Sequence, residues 1–146
     1  MKILVSRCLL GEPCRYDGKS KPVAAVEKLR ARGYELIPVC PEVMGGLSTP
    51  RPPAEIQPDG RVVNREGTDV TANYRKGGEE TLKIAREQGC TLALLKEKSP
   101  SCGSREVYDG SFTGTLIPGR GVAARLLEEN GIRVLGESEI QKLLED

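Results

Sequence analysis

The side chains in this sequence best suited to chemistry are thiols: it carries five cysteines and no histidine. The missing histidines exclude Cys–His and Ser–His triads and the commonest nitrogen ligand of zinc, so acid–base work falls to carboxylates, thiols or lysines. Cys8, Cys40 and Cys102 share one setting, each following an apolar run and lying in a stretch with Gly, Pro or Ser. Cys14 follows in the same stretch as Cys8. Cys90 differs, because it begins an apolar run, and it is expected to be a packed thiol without a chemical role. Structural zinc favours ligand pairs two residues apart, usually four ligands in all, and no such pair exists here. Three or four thiolates from separated loops suit a soft metal or an iron–sulfur cluster instead.

The elements that must position these thiols follow from hydrophobic spacing. Lys2 to Ser6 is an apolar strand, and the Gly- and Pro-rich stretch after it, through Asp17-Gly18, is a loop. From Pro22 to Arg32 the positions Val23, Val26 and Leu29 recur at helical spacing, with Gly33 as a stop. A strand from Tyr34 to Val39 comes next. Cys40 through Gly60, dense in Pro and Gly, is expected to be a semi-rigid loop and then a small hairpin, in which Pro58-Asp59-Gly60 turns the chain into Arg61-Val62-Val63. Thr71 to Gln88 is a helix, weakened in its first half by Gly77-Gly78 and closed by Gly89. Cys90 to Lys96 is a strand apolar on both faces, and Val107 to Gly114 belongs to a second hairpin. A helix over Gly119–Asn130, a strand over Ile132–Leu135 and a last helix capped by Ser138 and Gln141 complete the chain.

Helix, glycine and strand recur in close succession at Gly33, Gly89 and Gly131. That alternation predicts a single three-layer, Rossmann-like α/β domain over residues 1–146, with a mostly parallel four-stranded sheet and long loops at its carboxyl edge. Open α/β sheets bind their ligands at that edge, and Cys8, Cys14, Cys40 and Cys102 all fall there.

Composition narrows the function classes. At 146 residues the chain has the length of one domain, and 22 basic against 21 acidic residues argue against a partner held by bulk charge, nucleic acid included. No apolar run is long enough for a membrane span, and the first residues are too soon interrupted for a signal peptide, so a reducing, cytoplasmic setting is expected. A cysteine nucleophile remains open: Cys8 precedes Arg15 much as in the cysteine phosphatases, but six residues intervene rather than five, and Glu12 sits inside a loop meant for phosphate.

Taken together the motifs are familiar. Ser6-Arg7-Cys8-Leu9-Leu10-Gly11 with Arg15-Tyr16-Asp17-Gly18, Pro38-Val39-Cys40-Pro41-Glu42 with Gly45-Gly46 and Pro50-Arg51, and Ser99-Pro100-Ser101-Cys102-Gly103 with Asp109-Gly110-Ser111-Phe112-Thr113-Gly114 closely resemble the thiouracil desulfidase family over nearly the whole chain. The resemblance implies an oxygen-sensitive [4Fe-4S] cluster held by Cys8, Cys40 and Cys102, with one iron open to the sulfur of the substrate. Cys14 would be a neighbour rather than a ligand. It also implies a redox-neutral hydrolysis of C=S to C=O that releases hydrogen sulfide. The substrate would be a thiolated uracil base or nucleotide, such as 2- or 4-thiouracil or 4-thio-UMP, and the cluster-assembly machinery would be a partner.

Such a hydrolysis needs a base for the attacking water. Glu42, two residues after Cys40, is the candidate, its pKa expected to rise beside an apolar loop and a cluster. Ser101 is the expected hydroxyl at the substrate, with Ser99 behind it as second choice. Arg15, Arg51 and Arg105, or the helix start at Gly119-Arg120-Gly121, could meet a nucleotide phosphate. Two other functions stay open on the same residues: a non-catalytic metal or persulfide carrier, and a cysteine-nucleophile hydrolase that needs no metal.

Overall fold

The computed structural model describes residues 1–12, 15–18 and 25–144. Strand β1 (Lys2–Ser6) runs into a 3₁₀ turn, Arg7–Leu10, and helix α1 (Val26–Ala31) leads to β2 (Glu35–Val39). The expected helix start at Pro22 and Val23, and Cys14, lie outside the described residues. After β2 comes α2 (Pro41–Met44), a single helical turn in a stretch expected to be loop; Pro41 sits in its first turn, where a missing N–H costs nothing. Strands β3 (Ala54–Ile56) and β4 (Val62–Asn64) form the expected hairpin, and α3 (Thr71–Gln88) has the expected bounds. Strand β5 (Leu92–Leu95) precedes a second hairpin, β6 (Glu106–Tyr108) and β7 (Leu116–Pro118). The chain closes with α4 (Val122–Glu129), β8 (Arg133–Gly136), a 3₁₀ turn and α5 (Gln141–Leu144).

The main sheet has the order β2-β1-β5-β8 with every pair parallel. Its central strands are apolar at consecutive positions because both faces are covered. Ile3, Val5, Leu92, Leu94 and Leu135 pack on one face with Val26 and Leu29 of α1 and Leu143 and Leu144 of α5. Leu4, Ala93, Leu95 and Val134 pack on the other with Leu82 and Ala85 of α3 and Ala124 and Leu127 of α4. This is the three-layer α/β arrangement. Pro38 is tolerated because β2 is an edge strand. Gly33, Gly89 and Gly131 stop their helices at φ values of 90°, 70° and 82°, a region that side chains disfavour.

From β1 the chain moves outward to β2, and from β2 it crosses back to β5 on the other side of β1. Connections leaving adjacent strands toward opposite faces open a crevice at the carboxyl edge. The segment after β1 packs on the α1 side through Cys8 and Leu9, while the segment after β5 packs on the α3–α4 side through Cys102. A third cluster, Val62, Val70 and Tyr74 with Ala54 and Ile56, fastens the first hairpin to α3 as a side wall. The expected Ser138–Gln141 cap is replaced. Glu139 reaches back to accept from the Gly136 N–H at 3.2 Å, and the Ser138 N–H is bound by Glu97 Oε1.

Candidate functional site

A cavity of about 610 Å³ opens at this carboxyl edge. Cys8, Cys40 and Cys102 all border it, together with Ser6, Arg15, Glu42, Arg51 and Ser99. The three cysteines are buried and none is in a disulfide. Cys8 is carried by the 3₁₀ turn after β1, Cys40 caps α2 directly after β2, and Cys102 lies in the turn after β5. Cys90 is packed in the apolar layer beneath α3 and α4, at the start of β5.

The Cys102 turn is held from three directions. Ser99 Oγ accepts from the N–H groups of Ser101 and Cys102, both at 3.1 Å, and Gly103 N–H donates to Ser99 O at 2.9 Å. Carbonyls of Pro100, Ser101 and Gly103 take the N–H groups of Val122, Ala124 and Gly121 at the start of α4. Those donors were expected to be available for phosphate at Gly119-Arg120-Gly121; they are spent on the turn, and Arg120 pairs with Glu128. Ser101 Oγ lies 3.4 Å from Cys102 Sγ and 3.0 Å from Ser99 Oγ. Burial pushes the Cys102 thiol up to about 12, against hydrogen bonds from Ser101 and Ser6 that favour the thiolate. Ser101 itself is fully buried and does not border the cavity, whereas Ser99 does.

Glu42 occupies a polar setting rather than the expected apolar one. Tyr74 OH donates to Glu42 Oε1 at 2.5 Å, and Arg51 Nη2 stands 3.4 Å from Glu42 Oε2. Arg51 also donates to Ser48 O and Thr49 Oγ1, so it is a partner of Glu42 and of its own loop more than a phosphate arm. Burial, reinforced by the Glu42 charge, drives the Tyr74 phenol far above its ordinary pKa, which keeps it a proton donor. Tyr74→Phe should cost about 2 kcal/mol of stability by removing this bond to a carboxylate. Chemical denaturation of the two proteins checks it.

Arg15 borders the cavity. Arg105 is solvent-exposed, pairs with Glu139 at 2.7 Å and lies outside the residues that line the cavity. Sequence reasoning missed Tyr74, which sits on the buried side of α3 and reads as a core residue, and Ser6, whose Oγ accepts from Lys96 N–H at 2.9 Å. It also gave no role to the outer wall. There Glu55, buried in the first hairpin, accepts from Gly110 N–H and Phe112 N–H, while Arg65 lies over the Phe112 ring.

Known proteins resemble this chain in sequence, and one of them in structure. YbbK of Bacillus subtilis (strain 168), described as an uncharacterized protein, is 44% identical, over 97% of this chain and 99% of its own length. A solved structure titled as the [4Fe-4S]-dependent thiouracil desulfidase TudS superposes with a TM-score of 0.92 at 48% identity, covering 98% of this chain and 95% of that one. The sequence profile of the 2-thiouracil desulfurase family matches residues 3–139, and the chain belongs to that family.

Proposed function

We propose that this protein is a [4Fe-4S]-dependent desulfidase that converts the C=S of a thiolated uracil, as base or nucleotide, to C=O with release of hydrogen sulfide. The observation that carries the proposal is the meeting of Cys8, Cys40 and Cys102 along one cavity that Glu42 also borders. Family membership and the likeness to TudS support it. The donor set fits the cluster. Three buried soft sulfurs arrive from opposite faces of the sheet edge, and the chain has no histidine to complete a zinc site, a donor set that suits an iron–sulfur cluster. Cys8, Cys40 and Cys102 would hold it. When bound it supplies a Lewis-acidic iron with an open position for a soft sulfur donor.

The chain's own residues then supply orientation and proton transfer. Glu42 takes a proton from the water that attacks the thiocarbonyl carbon, while Tyr74 and Arg51 fix its two oxygens. Oxygen enters, sulfur leaves as hydrosulfide, and no electrons are exchanged with a partner. Ser99 Oγ already accepts from two N–H groups, so its own proton points outward, to Ser101 Oγ or to a substrate heteroatom. Ser101 lies one step behind, between Ser99 and the Cys102 sulfur. Arg15, at the cavity border, is the cation for a nucleotide phosphate.

Thiols and a cluster of this kind belong in a reducing compartment, and we place the protein in the cytoplasm, supplied by the cluster-assembly machinery. Among the described residues no helix is long and apolar enough to cross a membrane. Glu42→Gln should lower sulfide release about 10²- to 10⁴-fold, the usual worth of a positioned base, with iron content unchanged. Sulfide measured after anaerobic incubation with 2-thiouracil or 4-thio-UMP tests this; turnover at the wild-type rate removes Glu42 from the role.

A further inference from the structure

The segment Asp109-Gly110-Ser111-Phe112-Thr113-Gly114 links β6 to β7 and takes no part in the proton transfers above. Phe112 is the chain's single phenylalanine, and it is not in the core: it is half-buried and borders the cavity. Its φ is 57°, in the left-handed region where a bulky side chain is an outlier. Among the described residues only Lys98, with φ 67°, shares this among non-glycines, and it borders the same cavity. Strain of this kind persists where the surroundings impose it. Here Glu55 Oε1 accepts from Gly110 N–H at 2.9 Å and Phe112 N–H at 3.1 Å, and Gln57 Nε2 donates to Gly110 O at 3.1 Å. A buried carboxylate is thus committed to presenting one half-buried aromatic ring at the cavity border.

The ring is also prepared electronically. The Arg65 guanidinium, itself at the cavity border, lies 5.7 Å from its centroid in a cation–π contact. The rest of the lining mixes charged side chains with cysteines, prolines and small residues, and Tyr16 and Tyr108 are its other aromatics. We infer that Phe112 is the stacking wall for the planar ring of the substrate and sets a preference for aromatic thiopyrimidines over saturated ones. This rests on the desulfidase function proposed above and adds to it the residue that recognises ring planarity.

The test uses anaerobically reconstituted enzyme with 2-thiouracil and its non-planar 5,6-dihydro analogue, comparing wild type with Phe112→Gly, Phe112→Leu and Phe112→Tyr. Calorimetric binding and sulfide release are both measured. Loss of one base–aromatic stack should weaken 2-thiouracil binding about 5- to 150-fold in the Gly and Leu variants, with KM rising and kcat within about twofold. Binding of the dihydro analogue should stay unchanged, and Phe112→Tyr should restore the planar preference. Glycine accepts a positive φ, so Phe112→Gly should melt no lower than Phe112→Leu while losing affinity, which separates recognition from folding. Gly and Leu variants that release sulfide with the wild-type ratio of planar to saturated substrate overturn the inference and leave the desulfidase function standing. Wild-type enzyme that releases no sulfide from either compound overturns both.

Discussion

Cys102→Ala is expected to abolish cluster loading, taking iron from about four per chain to near zero and sulfide release to the uncatalysed background, since a [4Fe-4S] cluster depends on its thiolates. Cys102 is buried in a turn whose backbone is fastened to α4, so no nearby side chain can move into its place. Cys8→Ala and Cys40→Ala should have the same effect, because each is the single thiol its loop brings to the cavity border among the described residues. Cys90→Ala is the control. It removes a packed sulfur at the other end of β5 and should cost about 1 kcal/mol of stability without loss of iron. Iron and acid-labile sulfide analysis of the four anaerobically reconstituted variants checks the set. Loss of iron in Cys90→Ala alone would show that the thiols have been misassigned.

The second large effect is steric and lies outside the cavity. A Cβ on Gly77 would stand 1.9 Å from Pro41 O and 2.7 Å from Pro41 C, so α3 meets the turn carrying Cys40 and Glu42 backbone to backbone. Gly77→Ala must push that turn away, and it should cost about 3 kcal/mol or more, with loss of iron and activity. A Cβ on the adjacent Gly78 would sit 3.4 Å from Ala123 Cα, an ordinary contact. Gly78→Ala should therefore be mild or stabilising, since alanine gains up to about 1 kcal/mol of helix propensity over glycine. Gly121→Ala repeats the severe case on the other loop, where the added carbon would lie 2.5 Å from Ser101 C and 2.8 Å from Cys102 N. Denaturant unfolding and iron content of the three variants decide the matter. A harmless Gly77→Ala would mean that the α2–α3 approach does not position Cys40 and Glu42.

These glycines also mark the boundary of what was legible in the chain. The strands β1, β2, β5 and β8 could be read because both faces of a parallel sheet demand apolar side chains, and α3 because its spacing is helical over eighteen residues. The convergence of Cys8, Cys40 and Cys102 at one edge followed from that order of elements, since parallel strands must deliver their carboxyl ends together. Gly77-Gly78 looked like a flaw in a helix. Its purpose lies in contacts with Pro41 and Ala123, far away in sequence, and no local pattern announces them. The same holds for Glu42, whose partners Tyr74 and Arg51 turn an expected apolar pocket into a hydrogen-bonded one. Arg105 and the start of α4 are a related case: their partners, Glu139 and the carbonyls of the Cys102 turn, are set by packing and cannot be read locally. The sequence put Ser101 ahead of Ser99, whereas the fold buries Ser101 and sets Ser99 at the cavity border, a difference that no local pattern announces.

The central claim is that a cluster on three converging thiols drives desulfidation. The most direct measurement is sulfide release from 2-thiouracil by the same protein before and after anaerobic reconstitution with iron and sulfide. Sulfide and the oxo product in equal amounts, formed by the reconstituted protein and absent from the cluster-free one, are the predicted result. Equal turnover without the cluster would contradict the account and point to a cysteine nucleophile, and a loaded cluster with no turnover would reduce the protein to a carrier.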